Sequence, residues 1–189
     1  MIRIGIIGDI GSGKTFVANN FGYPVFSADL EVAKIYKKDK KVFLKLKNKL
    51  PKYITRFPVD KNEITNAILN NQNNLIKIIK IVNKEIKKKI NNFLKKNKNK
   101  KIVILDIPLL IENKFFNKKD LLVFVDSKKK DIDKRIKKRP KFNSKLFRIF
   151  KKIQFSPSYK KKKSHFIIKN TFAKKPVKNE IIKIINKIL

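Results

Sequence analysis

The apolar positions of this chain follow two periods. Short apolar runs read as strands at residues 2–7, 102–106, 121–126 and 164–169, the run at 102–106 as a buried parallel strand. A further short strand is predicted at Tyr23, Pro24, Val25 and Phe26, after a turn at Gly22. Between them, apolar residues recur at helical spacing on a Lys and Asn background, over 15–21, 30–36, 41–50, 63–94, 129–139, 145–154 and 177–189. Pro51, Pro58 and Asp60 interrupt the long helical region, and Pro157 breaks the late one. Strands alternating with helices predict an α/β fold, a five-stranded parallel sheet with helices on both faces. The helix between the second and third strands exceeds what one crossover needs, so an insertion is expected at 37–98. The core then comprises 1–36, 99–139 and 164–189, with a polar segment at 140–163.

The first strand opens into Gly8, Asp9, Ile10, Gly11, Ser12, Gly13, Lys14 and Thr15, which spell G-x-x-x-x-G-K-T between a strand and a helix. Glycines let a backbone wrap closely around polyphosphate oxygens, Lys14 supplies a mobile cation, and the Thr15 hydroxyl can ligate Mg2+. The chain has five glycines, at 5, 8, 11, 13 and 22, and three fall in this motif. A nucleoside-triphosphate site is expected, and the fold sharpens to a phosphate-loop NTPase of nucleotide-kinase type.

Composition changes the picture in two places. There is no cysteine, which excludes disulfides and thiolate metal sites, and no long apolar run of membrane or signal-peptide type; a cytoplasmic protein is the simplest expectation. The net charge of +36 suggests a polyanion surface, but only five of the fifty basic residues are arginine. The excess of Lys, Asn and Ile fits AT-rich coding acting on tolerant surface positions, so no specific nucleic acid and no membrane partner are expected. A monomer is expected.

Further candidates lie at strand ends, where open parallel sheets bind ligands. Asp29 follows the second strand, as a reacting carboxylate or as a helix N-cap. Asp106 closes the third strand as the carboxylate for Mg2+, with Glu112 behind it. Arg139 precedes the polar segment, which would serve as a lid excluding water from phosphoryl transfer. The lone His165 opens an apolar strand and is read as structural. The string Asn117, Lys118, Lys119, Asp120 matches a guanine-reading N-K-x-D, but it precedes a strand, and no glycine after Gly22 can serve a D-x-x-G switch; a GTPase is excluded.

Along nearly its whole length the chain resembles the dephospho-coenzyme A kinase family. The resemblance rests on G-x-x-G-S-G-K-T at 8–15, Ser27-Ala28-Asp29 with Ala33, Val59-Asp60-Lys61, D-I-P-L-L-I-E at 106–112, the strand at 123–126 with Arg139, Gln154 and Asn170. It implies a helical acceptor-binding insertion, a lid, and transfer of the ATP γ-phosphoryl to the ribose 3'-hydroxyl of dephospho-CoA. It further implies Asp29 as base, Lys14 and Arg139 on the transferring group, Asn170 at the nucleotide, and Lys61, Asn83, Lys84, Pro108, Leu109 and Glu112 on the acceptor side. ATP and Mg2+ are the implied cofactors. Three positions depart from the family pattern: Ser27 stands for an acidic residue, Asn83-Lys84 for His-Pro, and Ser164-His165 for Ala-Asp. A related nucleoside or nucleotide kinase, or a basic nucleic-acid binder with a residual ATPase loop, are the alternatives.

Overall fold

The computed structural model describes every residue except Arg139 and Lys141. Its strands are β1 (Ile2–Gly8), β2 (Val25–Ser27), β3 (Ile102–Asp106), β4 (Leu121–Asp126) and β5 (Phe166–Lys169). The helices are α1 (Lys14–Asn20), α2 (Ala28–Lys38), α3 (Lys40–Lys49), α4 (Lys61–Asn70), α5 (Asn73–Lys96), α6 (Lys129–Lys137), α7 (Ser144–Lys152), α8 (Pro157–Lys163) and α9 (Lys174–Ile188). All five strands run parallel in one sheet, in the order β2-β3-β1-β4-β5. The expected five-stranded parallel sheet flanked by helices is therefore present.

The described residues fall into two compact units. The first, Met1–Ser27 with Leu94–Phe142 and Ile153–Leu189, holds the sheet. Ile4, Ile6, Ile102, Ile104, Val123, Val125 and Ile168 cluster with Val17 and Ala18 of α1 and with Val177, Ile181 and Ile184 of α9. The alternate positions of β1 face elsewhere. A Cβ on Gly5 would lie 3.0 Å from a Leu122 methyl and 3.3 Å from both Leu110 methyls, so the segment after β3 packs directly on the strand backbone. Burial on both faces is why the interior strand β3 carries an unbroken apolar run up to Asp106.

Parallel register brings the carboxyl ends of the strands together. Ile6 lies opposite Asp106, Ser27 opposite Asp106, Gly8 opposite Val125, and Asp126 opposite Lys169. From β1 the chain first builds β2 and β3 on one side, then β4 and β5 on the other, which leaves a crevice at the end of β1.

The second unit, Ala28–Phe93 with Asn143–Lys152, is helical, and α7 packs on α4. Its buried residues include Ile35, Val42, Leu46, Ile64, Ile68, Leu75, Ile78, Val82, Ile86 and Ile149. Asp39 caps α3 by accepting from the Val42 amide at 3.0 Å, and Asp60 accepts from the Asn62 amide at 2.8 Å at the start of α4.

The elements differ from the sequence expectation at two instructive places. The continuous helical pattern over 63–94 is two helices. Asn71 adopts extended backbone at φ −147° and its carboxamide accepts the Asn73 amide at 2.9 Å, so a local side-chain turn ends α4 while the apolar period carries on. Pro157 starts a helix instead of breaking one: it occupies the first turn of α8, and Ser156 caps that turn by accepting the Tyr159 amide at 3.2 Å.

Candidate active site

The loop from Gly8 to Gly13 links β1 to α1. Its shape requires glycine at position 13, where φ is 87° and a Cβ would run into the Asn170 carboxamide and the Phe172 ring. Within the loop the Ser12 amide donates to the Asp9 carbonyl at 3.2 Å, and the Asp9 carboxylate accepts the Ile10 amide at 2.7 Å. The Lys14 ammonium lies over this turn, donating to the Asp9 carbonyl at 2.8 Å and the Gly8 carbonyl at 3.4 Å. An anionic phosphate oxygen is a stronger acceptor for this cation than either carbonyl.

Two residues far apart in sequence meet beside the loop. The Thr15 hydroxyl donates to Asp106 Oδ2 at 2.7 Å, and Asp106 is buried at the end of β3. A hydroxyl and a carboxylate are hard oxygen donors, and Mg2+ characteristically takes one or two protein oxygens and completes its shell with phosphate and water. The pair therefore fits that ion. No cluster of three or more His, Cys, Asp or Glu ligands occurs among the described residues.

Pro108, Leu109, Glu112 and Gln154 line one cleft. About 250 Å3 of open space is bounded by Gly8, Lys14, Pro108, Leu109, Glu112, Gln154 and Lys160, among others. Leu109 has a positive φ of 57°, in the tight turn that follows β3. Glu112 forms an ion pair with Lys160 at 3.0 Å and accepts the Phe155 amide at 2.9 Å. Lys160 also donates to the Gln154 carboxamide at 2.9 Å. Nearby, the Arg135 guanidinium stacks 4.1 Å from the centroid of Phe172, an aromatic face set against Gly13.

Of the residues singled out from sequence, Gly8 through Thr15, Asp106, Pro108, Leu109, Glu112 and Asn170 all belong to the sheet unit and collect around the end of β1. Four more belong to the helical unit: Asp29 is the second residue of α2 and exposed, Lys61 is the first residue of α4, and Asn83 and Lys84 lie within α5. Arg139 lies outside the described residues. Ser127, Arg135, Lys160 and Phe172 were not singled out. Ser127 was findable, because it follows a strand at the carboxyl edge. Lys160 is one of four consecutive lysines and carried no local signal.

His165 has the structural role expected of it. Its Nδ1 accepts the Leu122 amide at 2.9 Å while its own amide donates to the Leu122 carbonyl at 2.8 Å, fastening the start of β5 to β4 at the sheet edge opposite the loop.

The loop, strand order and flanking helices are those of a phosphate-loop fold, and comparison with known proteins decides the family. The family model for dephospho-CoA kinase matches residues 2–175. The chain belongs to the dephospho-CoA kinase family. Membership makes it an enzyme, an ATP-dependent phosphotransferase. A dephospho-CoA kinase of Wolbachia pipientis is 31% identical over 188 residues, covering 97% of this chain and 96% of that protein. One from Rickettsia bellii is 32% identical over 171 residues, covering 89% and 87%. Among solved structures, a protein from Thermus thermophilus superposes with a TM-score of 0.80 at 21% identity, covering 100% of this chain and 98% of that one. Dephospho-CoA kinase from Campylobacter jejuni superposes at 0.60 with 22% identity, covering 98% and 96%. These two likenesses establish the shared fold. No helix among the described residues is long and apolar enough to cross a membrane.

Proposed function

We propose that this chain transfers the γ-phosphoryl group of ATP to the ribose 3'-hydroxyl of dephospho-CoA, giving coenzyme A and ADP. The observation that carries the reading is the loop from Gly8 to Thr15, with Lys14 poised over it and Thr15 hydrogen-bonded to Asp106 at 2.7 Å. The amides of residues 9–14 and the Lys14 ammonium bind and neutralise the β and γ phosphates. Thr15 and Asp106 would hold Mg2+, whose charge would offset that of the phosphates. The Asp29 carboxylate takes the proton of the 3'-hydroxyl as its oxygen bonds to the γ-phosphorus, and the bond from that phosphorus to the bridging oxygen of ADP breaks. Arg139 adds positive charge to the transferring group, and Asn170 supports the nucleotide end.

On the acceptor side, Pro108, Leu109 and Glu112 form the cleft wall, and Lys61, Asn83 and Lys84 meet the anionic part of dephospho-CoA. A basic protein of net charge +36 also draws such an acceptor electrostatically. The helical region at 37–98 is assigned to acceptor binding and the segment at 140–163 to the lid. The cytoplasm is the compartment we assign.

The test is ADP release by purified protein with ATP and Mg2+ against dephospho-CoA, adenosine and nucleoside monophosphates, with Asp29→Asn alongside. Dephospho-CoA is expected to be the preferred acceptor, and Asp29→Asn to lower kcat by about 100-fold or more, the lower range of a general base's contribution. Preference for another acceptor would replace this reading with a nucleoside or nucleotide kinase. Near-wild-type turnover by Asp29→Asn would remove the base assignment.

A further inference from the structure

The Ser12 carbonyl oxygen is gripped from outside its own loop. Ser127 Oγ donates to it at 2.8 Å, and Asn170 Nδ2 donates to it at 2.8 Å. Each donor is the first residue past a strand: Ser127 follows β4 and Asn170 follows β5, two strands paired in register up to Asp126 and Lys169. The grip is itself fixed. Asn170 is 3% exposed, its amide donates to the Asp126 carbonyl at 2.7 Å, and its Oδ1 accepts the Phe172 amide at 2.9 Å. Turning the carboxamide over would set oxygen against the Ser12 oxygen and nitrogen against the Phe172 N–H, so the donor orientation is determined by its neighbours.

The consequence falls on the next amide. In a trans peptide the C=O and N–H point in opposite directions, so a Ser12 oxygen held towards the ends of β4 and β5 aims the Gly13 N–H away from them. Two donors also saturate the two lone pairs of the carbonyl, which gives the peptide no reason to rotate. A loop peptide free to rotate would offer a phosphate its oxygen part of the time, and apparent affinity falls in proportion to the competent fraction.

We propose that Ser127 and Asn170 are positioning residues that set nucleotide affinity by orienting the Ser12–Gly13 peptide. The proposal rests on the reading that residues 8–15 hold the phosphates of ATP. Both side chains act on one atom, which gives the mechanism a signature: with either donor left the peptide stays largely oriented, and with neither it does not.

The experiment measures ADP and ATP binding by calorimetry on the full chain, with thermal unfolding in parallel, for the wild type, S127A, S127T, N170A, N170D and S127A/N170A. Each alanine variant is expected to weaken binding about fivefold, the scale of one net hydrogen bond. The double variant is expected to lose about 100-fold, beyond the roughly 25-fold product of the singles, because the sites share a partner. S127T restores binding relative to S127A, since it keeps the hydroxyl donor. N170D keeps the acceptor for Phe172 but faces the Ser12 oxygen with another oxygen, and binds more weakly than N170A. Wild-type affinity in the variants, whatever their melting temperature, would overturn the proposal, as would losses that simply multiply. Should N170A not fold, S127A against S127T carries the same test. A wild type that binds neither nucleotide defeats the loop reading as well, whereas a wild type that binds beside unaffected variants defeats only the clamp.

Discussion

Replacing Lys160 by methionine would leave the Glu112 carboxylate in the cleft wall without its cation. The two side chains are 5% and 10% exposed, and their charged atoms lie 3.0 Å apart. At an effective dielectric of about 20 their attraction is ~5–6 kcal/mol, while taking each ion out of water costs several kcal/mol even after relaxation. The intact pair therefore contributes little relative to an apolar pair of equal volume. Losing one member is different, because the desolvation of the survivor is no longer offset: Lys160→Met is expected to cost about 3–5 kcal/mol of folding stability. Glu112→Gln in the Lys160→Met background removes the stranded charge yet keeps an oxygen to accept the Phe155 amide, and should recover most of that loss. Urea unfolding of the wild type, both single variants and the double variant at neutral pH closes the cycle. A Lys160→Met cost below about 1 kcal/mol, or a double variant as unstable as the sum of the singles, would refute the reasoning that a buried, coupled pair holds the cleft wall.

Asp106→Asn keeps the shape beside Thr15 but removes the charge, and should raise the Mg2+ concentration needed for half-maximal turnover by about 10- to 100-fold, with turnover recovering at high Mg2+; an unchanged Mg2+ titration would remove Asp106 from the metal site. His165→Ala deprives the Leu122 amide of its acceptor and should cost about 1 kcal/mol in urea unfolding with turnover intact, whereas lost turnover in the folded variant would draw the histidine into the chemistry. Asp120, paired with Arg3 at 2.9 Å, has its carboxyl pushed above the ordinary 3.8, chiefly by burial, against the opposing pull of the Asn117 amide and of Arg3. The folded chain then holds this proton more tightly than the unfolded chain, so the group's contribution to stability declines as pH rises above 3.8. Asp120→Asn should flatten that part of the stability profile, and identical pH slopes in the two proteins would contradict it.

What could be read from sequence was local. Buried parallel strands need apolar side chains on both faces, so Ile102–Asp106 and Leu121–Asp126 announced themselves as apolar runs closed by an aspartate, and Ile2–Gly8 as a run interrupted by Arg3. The phosphate loop was legible because its glycines, Lys14 and Thr15 are contiguous, and Asp106 because it ends an apolar strand. Periodicity could not see the turn at Asn71, since a side chain bonding its own backbone ends α4 without changing the apolar count.

Tertiary structure decided which distant residues share the site. Thr15 and Asp106 are 91 positions apart and Ser12 and Asn170 are 158 apart, and they meet because parallel register stacks the strand ends at one edge of the sheet. Likewise, nothing in the run from Lys160 to Lys163 separates its members. The packing of α8 on β1 and β4 buries Lys160 against Glu112 and leaves Lys161, Lys162 and Lys163 exposed. Local composition sets what each segment can form, but the partner of a polar group is chosen by the strand order that brings it within hydrogen-bonding distance, and that order is a property of the folded sheet alone.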